Sequence, residues 1–118
     1  MENKTPEDIA LKILAFEFRK SEIDESNQKI RKRIGAKKMD SLGIEWLENL
    51  RSFKNSVMSE VHKNTKSKYY KSNKSGYADM SDFKVEEMIT SYTEEFNSIP
   101  NEVIGSFIPY SIYLYYMR

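Results

Sequence analysis

Cysteine is absent from the 118-residue chain, histidine occurs once, and only four glycines and three prolines punctuate it. Each scarcity removes a class of chemistry. Without cysteine there is no disulfide framework, no thiolate metal site and no thiol nucleophile, which fits a reducing compartment. With His62 as the single histidine, neither HExxH nor a Glu-x-x-His pair with a second histidine can be assembled. The usual helical zinc and di-iron sites are therefore excluded. No GxxxxGK[ST] or GxGxxG pattern occurs, so the common phosphate-cradling loops are missing too. Met1 is followed by Glu2, Lys4, Glu7 and Asp8 rather than by a basic stretch and an apolar core. No secretory leader is read from this, and a cytoplasmic location is expected. The N-x-S/T triplets at Asn3 and Asn73 are then chance occurrences.

What is abundant is charge. Charged residues make up 31% of the chain, yet the net charge is only +1. Residues 1–28 carry four bases and seven acids, residues 29–78 thirteen bases and four acids, and residues 79–118 two bases and seven acids. A basic middle between acidic ends bears on partners more than on fold. Lys, Asn, Ile and Tyr, whose codons AT-rich DNA favours, recur throughout. That bias suits a phage, a mobile element or another AT-rich source.

Helical periodicity dominates. Thr5 is placed to cap, Pro6 suits a first helical position, and Asp8 stands where a capping box needs its acceptor. Ile9, Phe16, Ile23 and Ile30 then recur every seven residues up to Gly35, with Ile13 and Ile34 on the alternate row. Lys20 and Asn27 break that second row, so a core stripe is expected rather than a coiled coil. The expectation is one helix of about thirty residues, kinked near Ser26. A second helix is expected from Asp40 or Ser41, with Trp46, Leu50, Phe53, Val57 and Val61 on one face.

Residues 63–78, KNTKSKYYKSNKSGYA, are poor in apolar side chains and are expected to be a mobile basic loop between the second and third helices. The third helix follows Asp79, Ser81 or Asp82 and carries the stripe Val85, Met88, Ile89, Tyr92, Phe96 and Ile99. A fourth is expected to begin at Pro100, capped by Ser98, with Val103, Ile104, Phe107 and Ile108 inward. Pro109 is expected to kink it or to start a new segment at Tyr110, because proline lacks an N–H and clashes with the preceding turn. The fold class expected is all-α: a single compact domain over residues 1–118, with four or five helices.

Two stretches could contact something. Residues 109–118 close the chain on an aromatic, almost uncharged strip. As a helix it places Ile112, Tyr113, Tyr116 and Met117 on one face; as a strand it places Tyr110, Ile112, Leu114 and Tyr116 together. Tyr110, Ile112, Tyr113, Tyr116 and Met117 are the candidate partner-binding residues, since tyrosine offers large apolar area plus a hydroxyl. The run from Val103 to Met117 is uncharged but shorter than the roughly twenty residues a bilayer span needs.

The second stretch is basic. Arg31, Lys32 and Arg33 lie in KIRKRIGAKK, and Lys66, Lys68, Lys71 and Lys74 are interleaved with Tyr69 and Tyr70. Lysines neutralise phosphates and tyrosine rings stack on bases, so these nine residues are the candidate nucleic-acid contacts.

The paired acids Glu86–Glu87 and Glu94–Glu95 flank an apolar stripe and are expected to be a solvated face. A hydrolase would need them, or Glu60, to converge with His62 in a pocket. No catalytic residue, metal or cofactor is assigned. NSIPNEVIGSFIP, residues 97–109, resembles a short segment of the late-transcription coactivators of T4-like phages, which bind RNA polymerase. The likeness is confined to that segment, and no function is carried over from it. The chain is thus expected to act by binding a protein partner, or its own copy as a homo-oligomer, through the aromatic C-terminal segment, as an adaptor, inhibitor, or assembly or regulatory subunit. The alternative is a nucleic-acid accessory protein.

Overall fold

The capping box read at Thr5 forms as expected and opens the first helix. The Thr5 hydroxyl accepts from the Asp8 amide at 3.1 Å, and the Asp8 carboxylate accepts from the Thr5 amide at 3.3 Å. The structure is a computed structural model that describes residues 5–63, 66–70 and 83–116, for Tyr116 the backbone alone. These residues are mostly helical, and no strand occurs among them. Six α-helices stand among them where four or five were expected: α1 (Pro6–Leu14), α2 (Ile23–Ile34), α3 (Ala36–Leu42), α4 (Ile44–His62), α5 (Val85–Glu95) and α6 (Asn101–Tyr116). They fall into two compact units that divide inside α4, between Lys54 and Asn55.

In the first unit α1 packs on α2 and α2 on α3. The single thirty-residue helix expected here does not form. Its break has a local cause at Glu17. The helix tightens as the Phe16 and Glu17 amides donate to the carbonyls of Ile13 and Leu14. The Glu17 carbonyl then accepts from the Lys54 ammonium at 2.9 Å instead of from a following amide. The next two amides, of Phe18 and Arg19, donate to the Glu22 carboxylate at 3.2 and 2.9 Å. A 3₁₀ turn, Lys20–Glu22, leads into α2. Phe16, expected in the core stripe, is accordingly 55% exposed.

Gly35 and Gly43 bound α3, at φ +95° and +87° with ψ 142° and 168°. The basic segment 29–38 is thus two helical ends joined by a glycine, and the next helix begins at Ile44 rather than at Asp40. Open space surrounds both α-carbons, with no atom within 4 Å of a built β-carbon. The region is nonetheless one that L side chains avoid for backbone reasons. Gly35→Ala and Gly43→Ala are each expected to destabilise by about 1–3 kcal/mol through strain alone. Urea unfolding checks this, and a loss under 0.5 kcal/mol would sink it.

α4 buries Leu50, Phe53, Val57 and Val61 of the face read from its spacing, with Leu47, which that reading did not include, beside them. Trp46 is half-buried, and its indole N–H donates to the Glu7 carboxylate at 3.0 Å.

In the second unit α5 packs on α6. Met88, Tyr92 and Ile99 are buried, and the Tyr92 hydroxyl lies 3.1 Å from both the Ser56 carbonyl and the Ser56 hydroxyl. Within residues 66–70, the Ser67 hydroxyl donates to the buried Glu60 carboxylate and accepts from the Tyr69 amide. Tyr70 forms an isolated antiparallel bridge to Phe83, their rings edge-on at 5.9 Å. The remainder of the expected mobile loop, including Lys71 and Lys74, lies outside the described residues.

α6 settles the form of the tail down to Tyr116: it is helix. Pro109 neither ends it nor starts a new segment. Proline removes the amide that the Gly105 carbonyl would have accepted from, and its ring crowds that same carbonyl. Here Pro109 is exposed and Gly105 half-buried, so that carbonyl sits near solvent, where water can satisfy it. Inward, Ile104, Ile108, Ser111 and Ile112 are almost wholly buried, and Ser111 donates to the Ile108 carbonyl at 2.8 Å. The helix therefore holds together on its packed side.

Candidate functional site

Of the five residues expected to bind a partner, the three whose side chains are described do not share a surface. Ile112 is 2% exposed and belongs to the core of the second unit. Tyr110 is half-buried, its ring 6.2 Å from that of Phe107. Tyr113 is 45% exposed. The Tyr116 side chain and Met117 lie outside the described residues. Glu102, Ser106, Pro109 and Tyr113 are all exposed, at spacings of four, three and four, and form the outward ridge of α6. A helix that buries Ile112 must turn Tyr113 about 100° away from it, which separates the pair.

The basic candidates divide as well. Arg31, Lys32 and Arg33 end α2 and are exposed, as are Lys37 and Lys38 on α3. Arg31 is held by both oxygens of Asp40, at 2.8 and 3.3 Å, and Lys29 pairs with Glu25 at 3.2 Å. Lys32, Arg33, Lys37 and Lys38 form no ion pair among the described residues. In the second unit Lys66 and Lys68 are exposed, but Tyr69 is only 7% exposed and the Lys68 ammonium lies 5.2 Å from its ring centre. Tyr69 would have to leave its seat to stack on a base. Tyr70, half-buried against Phe83, offers less of a face than an open loop would.

Sequence reasoning did not identify a buried charge cluster in the first unit. Glu17 accepts from Arg51 through both carboxylate oxygens, at 2.8 and 3.0 Å. The Lys54 ammonium lies 3.9 Å from the same carboxylate. Exposure of the side chains is 6% for Arg51, 5% for Glu17 and 4% for Lys54. Arg51 also donates to Asn27 at 2.6 Å and to Glu48 at 2.8 Å. Among the described residues no buried side-chain nitrogen or oxygen lacks a hydrogen-bond partner. The signal available was on α4: Arg51 and Lys54 lie on the same helical rows as Leu47, Leu50, Met58 and Val61, where basic residues need a buried acid.

Burial pushes the Glu17 carboxyl up, but hydrogen bonds from Arg51 and Ser26 and the charges of Arg51 and Lys54 outweigh it, leaving it below its ordinary value. Glu60 behaves alike: burial raises it, and hydrogen bonds from Ser67 and Lys63 more than offset this. Burial lowers the Lys54 ammonium despite the nearby Glu17 charge. For both carboxylates the unfolded chain binds the proton more readily. Their contribution is therefore complete above the ordinary carboxylate pKa of about 4.3 and lost as pH falls through the lower folded values. Thermal melts from pH 7 down to 3 are expected to show a steep acid limb, shallower in Glu60→Gln. An unchanged limb in that variant would remove Glu60 from the account.

His62 ends α4, exposed, with its ring 4.9 Å from that of Tyr115. Glu86, Glu87 and Glu94 line two adjoining open concavities with Phe83, Lys84, Val85, Thr90 and Ser91, and neither lining includes His62 or Glu60. Among the described residues no group of three acids or histidines could hold a metal ion, and no helix is long and apolar enough to cross a membrane. Comparison with protein-family models, curated proteins and solved structures returns no match for this chain.

Proposed function

We propose that this chain is a small non-enzymatic protein-binding factor, an adaptor, inhibitor or regulatory subunit, which engages a protein partner through the outward ridge of α6. The observation that carries the reading is Tyr113. It is a large amphipathic ring 45% exposed on a helix whose opposite face is closed by Ile104, Ile108 and Ile112. Tyrosine presented on a rigid support gains contact area at little conformational cost, which is why it recurs at interface hot spots. Tyr113→Ala is expected to leave the melting curve within the width of a surface substitution, about 0.5 kcal/mol. It should also lower affinity for the partner at least tenfold, as hot-spot truncations do. A photo-crosslinking residue at position 113 identifies the contact. A chain that stays monomeric and crosslinks to nothing there would defeat the reading.

A nucleic-acid accessory role is the second reading, favoured by the exposed cations Lys32, Arg33, Lys37 and Lys38 beside Gly35. Its mark is salt: affinity for single- or double-stranded DNA or RNA should fall steeply from about 50 to 200 mM. No binding at the lower value would dismiss it.

A further inference from the structure

Residues 17–19 leave the helical path between α1 and the 3₁₀ turn, and Arg19 is fully extended at φ −128° and ψ 149°. Burial alternates through the residues before it: Phe16 exposed, Glu17 buried, Phe18 exposed. Glu17 points inward, to Arg51 and Lys54, while Phe16 and Phe18 on either side of it are each 55% exposed. The arrangement runs against simple hydrophobic economy. A continuous helix would have placed Phe16 on the core stripe, and an apolar interior would have served at least as well as a buried ion pair. What the bend achieves is the outward display of two phenyl rings, fixed from beneath by a bidentate Arg–carboxylate contact.

We infer that Phe16 and Phe18 form a docking site for an acidic amphipathic helix of a protein partner. Two features specify that occupant. Whatever the backbone between them, residues i and i+2 stand no more than about 7 Å apart, a span comparable with the roughly 6.0 Å rise between apolar residues i and i+4 of a helix. Two successive apolar residues of one helical stripe can therefore rest on the two rings. The next two residues, Arg19 and Lys20, are exposed and form no ion pair among the described residues. They set cations beside the rings, where carboxylates flanking the stripe would meet them. The nearby acid Glu22 is already committed to the amides of Phe18 and Arg19. This site lies in the first unit and does not depend on Tyr113 of α6.

The test uses the full chain and a labelled synthetic helical peptide with a leucine stripe flanked by glutamates, read by fluorescence anisotropy at low salt. Saturable binding is expected. The double variant Phe16→Ser/Phe18→Ser should weaken it at least tenfold, in line with loss of hot-spot rings. Arg19→Glu/Lys20→Glu should weaken it similarly, whereas Arg19→Lys/Lys20→Arg retains it and Tyr113→Ala leaves it unchanged. A peptide with lysines in place of glutamates should bind at least tenfold more weakly. Circular dichroism melts show whether the phenylalanine variant stays folded, which is expected because both residues are 55% exposed. The inference is overturned if the acidic peptide does not bind. It is equally overturned if the phenylalanine variant folds and binds it as tightly. Sedimentation at the dilute concentration of that assay, showing that the two rings instead join two copies of this chain in a stable dimer, would also overturn it.

Discussion

Arg51→Ala is expected to lower the unfolding free energy by about 3–5 kcal/mol, the loss typical when one partner of a buried ion pair is removed. In a domain of this size that displaces the melting temperature by something on the order of 15 °C. The reason is not that the pair is strongly stabilising. Removing the guanidinium strands the Glu17 carboxylate at 5% exposure with the Ser26 hydroxyl and the Lys54 ammonium, at 3.9 Å, left to face it. It also withdraws the donor to Asn27. The decisive comparison is with the triple variant Glu17→Met/Arg51→Leu/Lys54→Met, which removes every charge together. That variant is expected within about 2 kcal/mol of the parent, since apolar replacements of buried ion pairs are often neutral. The residual loss comes from the Glu17 carbonyl, which no longer receives the Lys54 hydrogen bond. Urea midpoints at constant m-value measure both. If the triple variant is worse than Arg51→Ala, the cluster contributes net stability and this account of it is wrong.

Ile112→Ala is expected to cost about 2–5 kcal/mol, the usual range for emptying a core isoleucine site. Tyr113→Ala, one position along, should cost almost nothing. Adjacent residues with opposite outcomes are the signature of a helix with one buried face. Ile112 is 2% exposed among a buried set that includes Ile108 and Ser111, whereas Tyr113 stands in solvent. Truncation after Ile108 should therefore unfold the second unit, because it removes Ser111, Ile112 and the Tyr115 ring that meets His62. Melting curves at 222 nm separate the cases. An Ile112→Ala variant as stable as Tyr113→Ala would show that the tail is not core.

The parts of the fold that were legible in the sequence are those decided by local chemistry. Thr5, Pro6 and Asp8 announce a helix start because each residue type satisfies a specific need of the first turn, and the box forms. The α4 and α5 stripes were legible because their apolar spacing matches the turn of a helix. The break at Glu17 was not, since its cause lies 34 and 37 residues away, in Arg51 and Lys54. Periodicity assigned Phe16 to the core because it has no means of seeing a carbonyl claimed by a distant ammonium. No new segment starts at Tyr110 for a related reason: proline's local rule is valid, but the exposed side of α6 tolerates the orphaned carbonyl. At the candidate surfaces the sequence identified chemistry without direction. Tyr113 and Ile112 share composition and neighbourhood, and only packing sends one outward.

The bend at residues 16–18 also has a colloidal consequence. Two half-exposed phenyl rings sit on a molecule whose net charge is +1 and whose isoelectric point is near 7.8. Near neutral pH such molecules have almost no mutual repulsion to keep apolar patches apart, and proteins at this balance tend to associate. Concentrated samples should therefore stay clearer below the isoelectric point than at it, because net positive charge adds repulsion between molecules. At pH 7.5–8 in moderate salt, light scattering should rise first with the native Phe16–Phe18 display and last with its serine replacements.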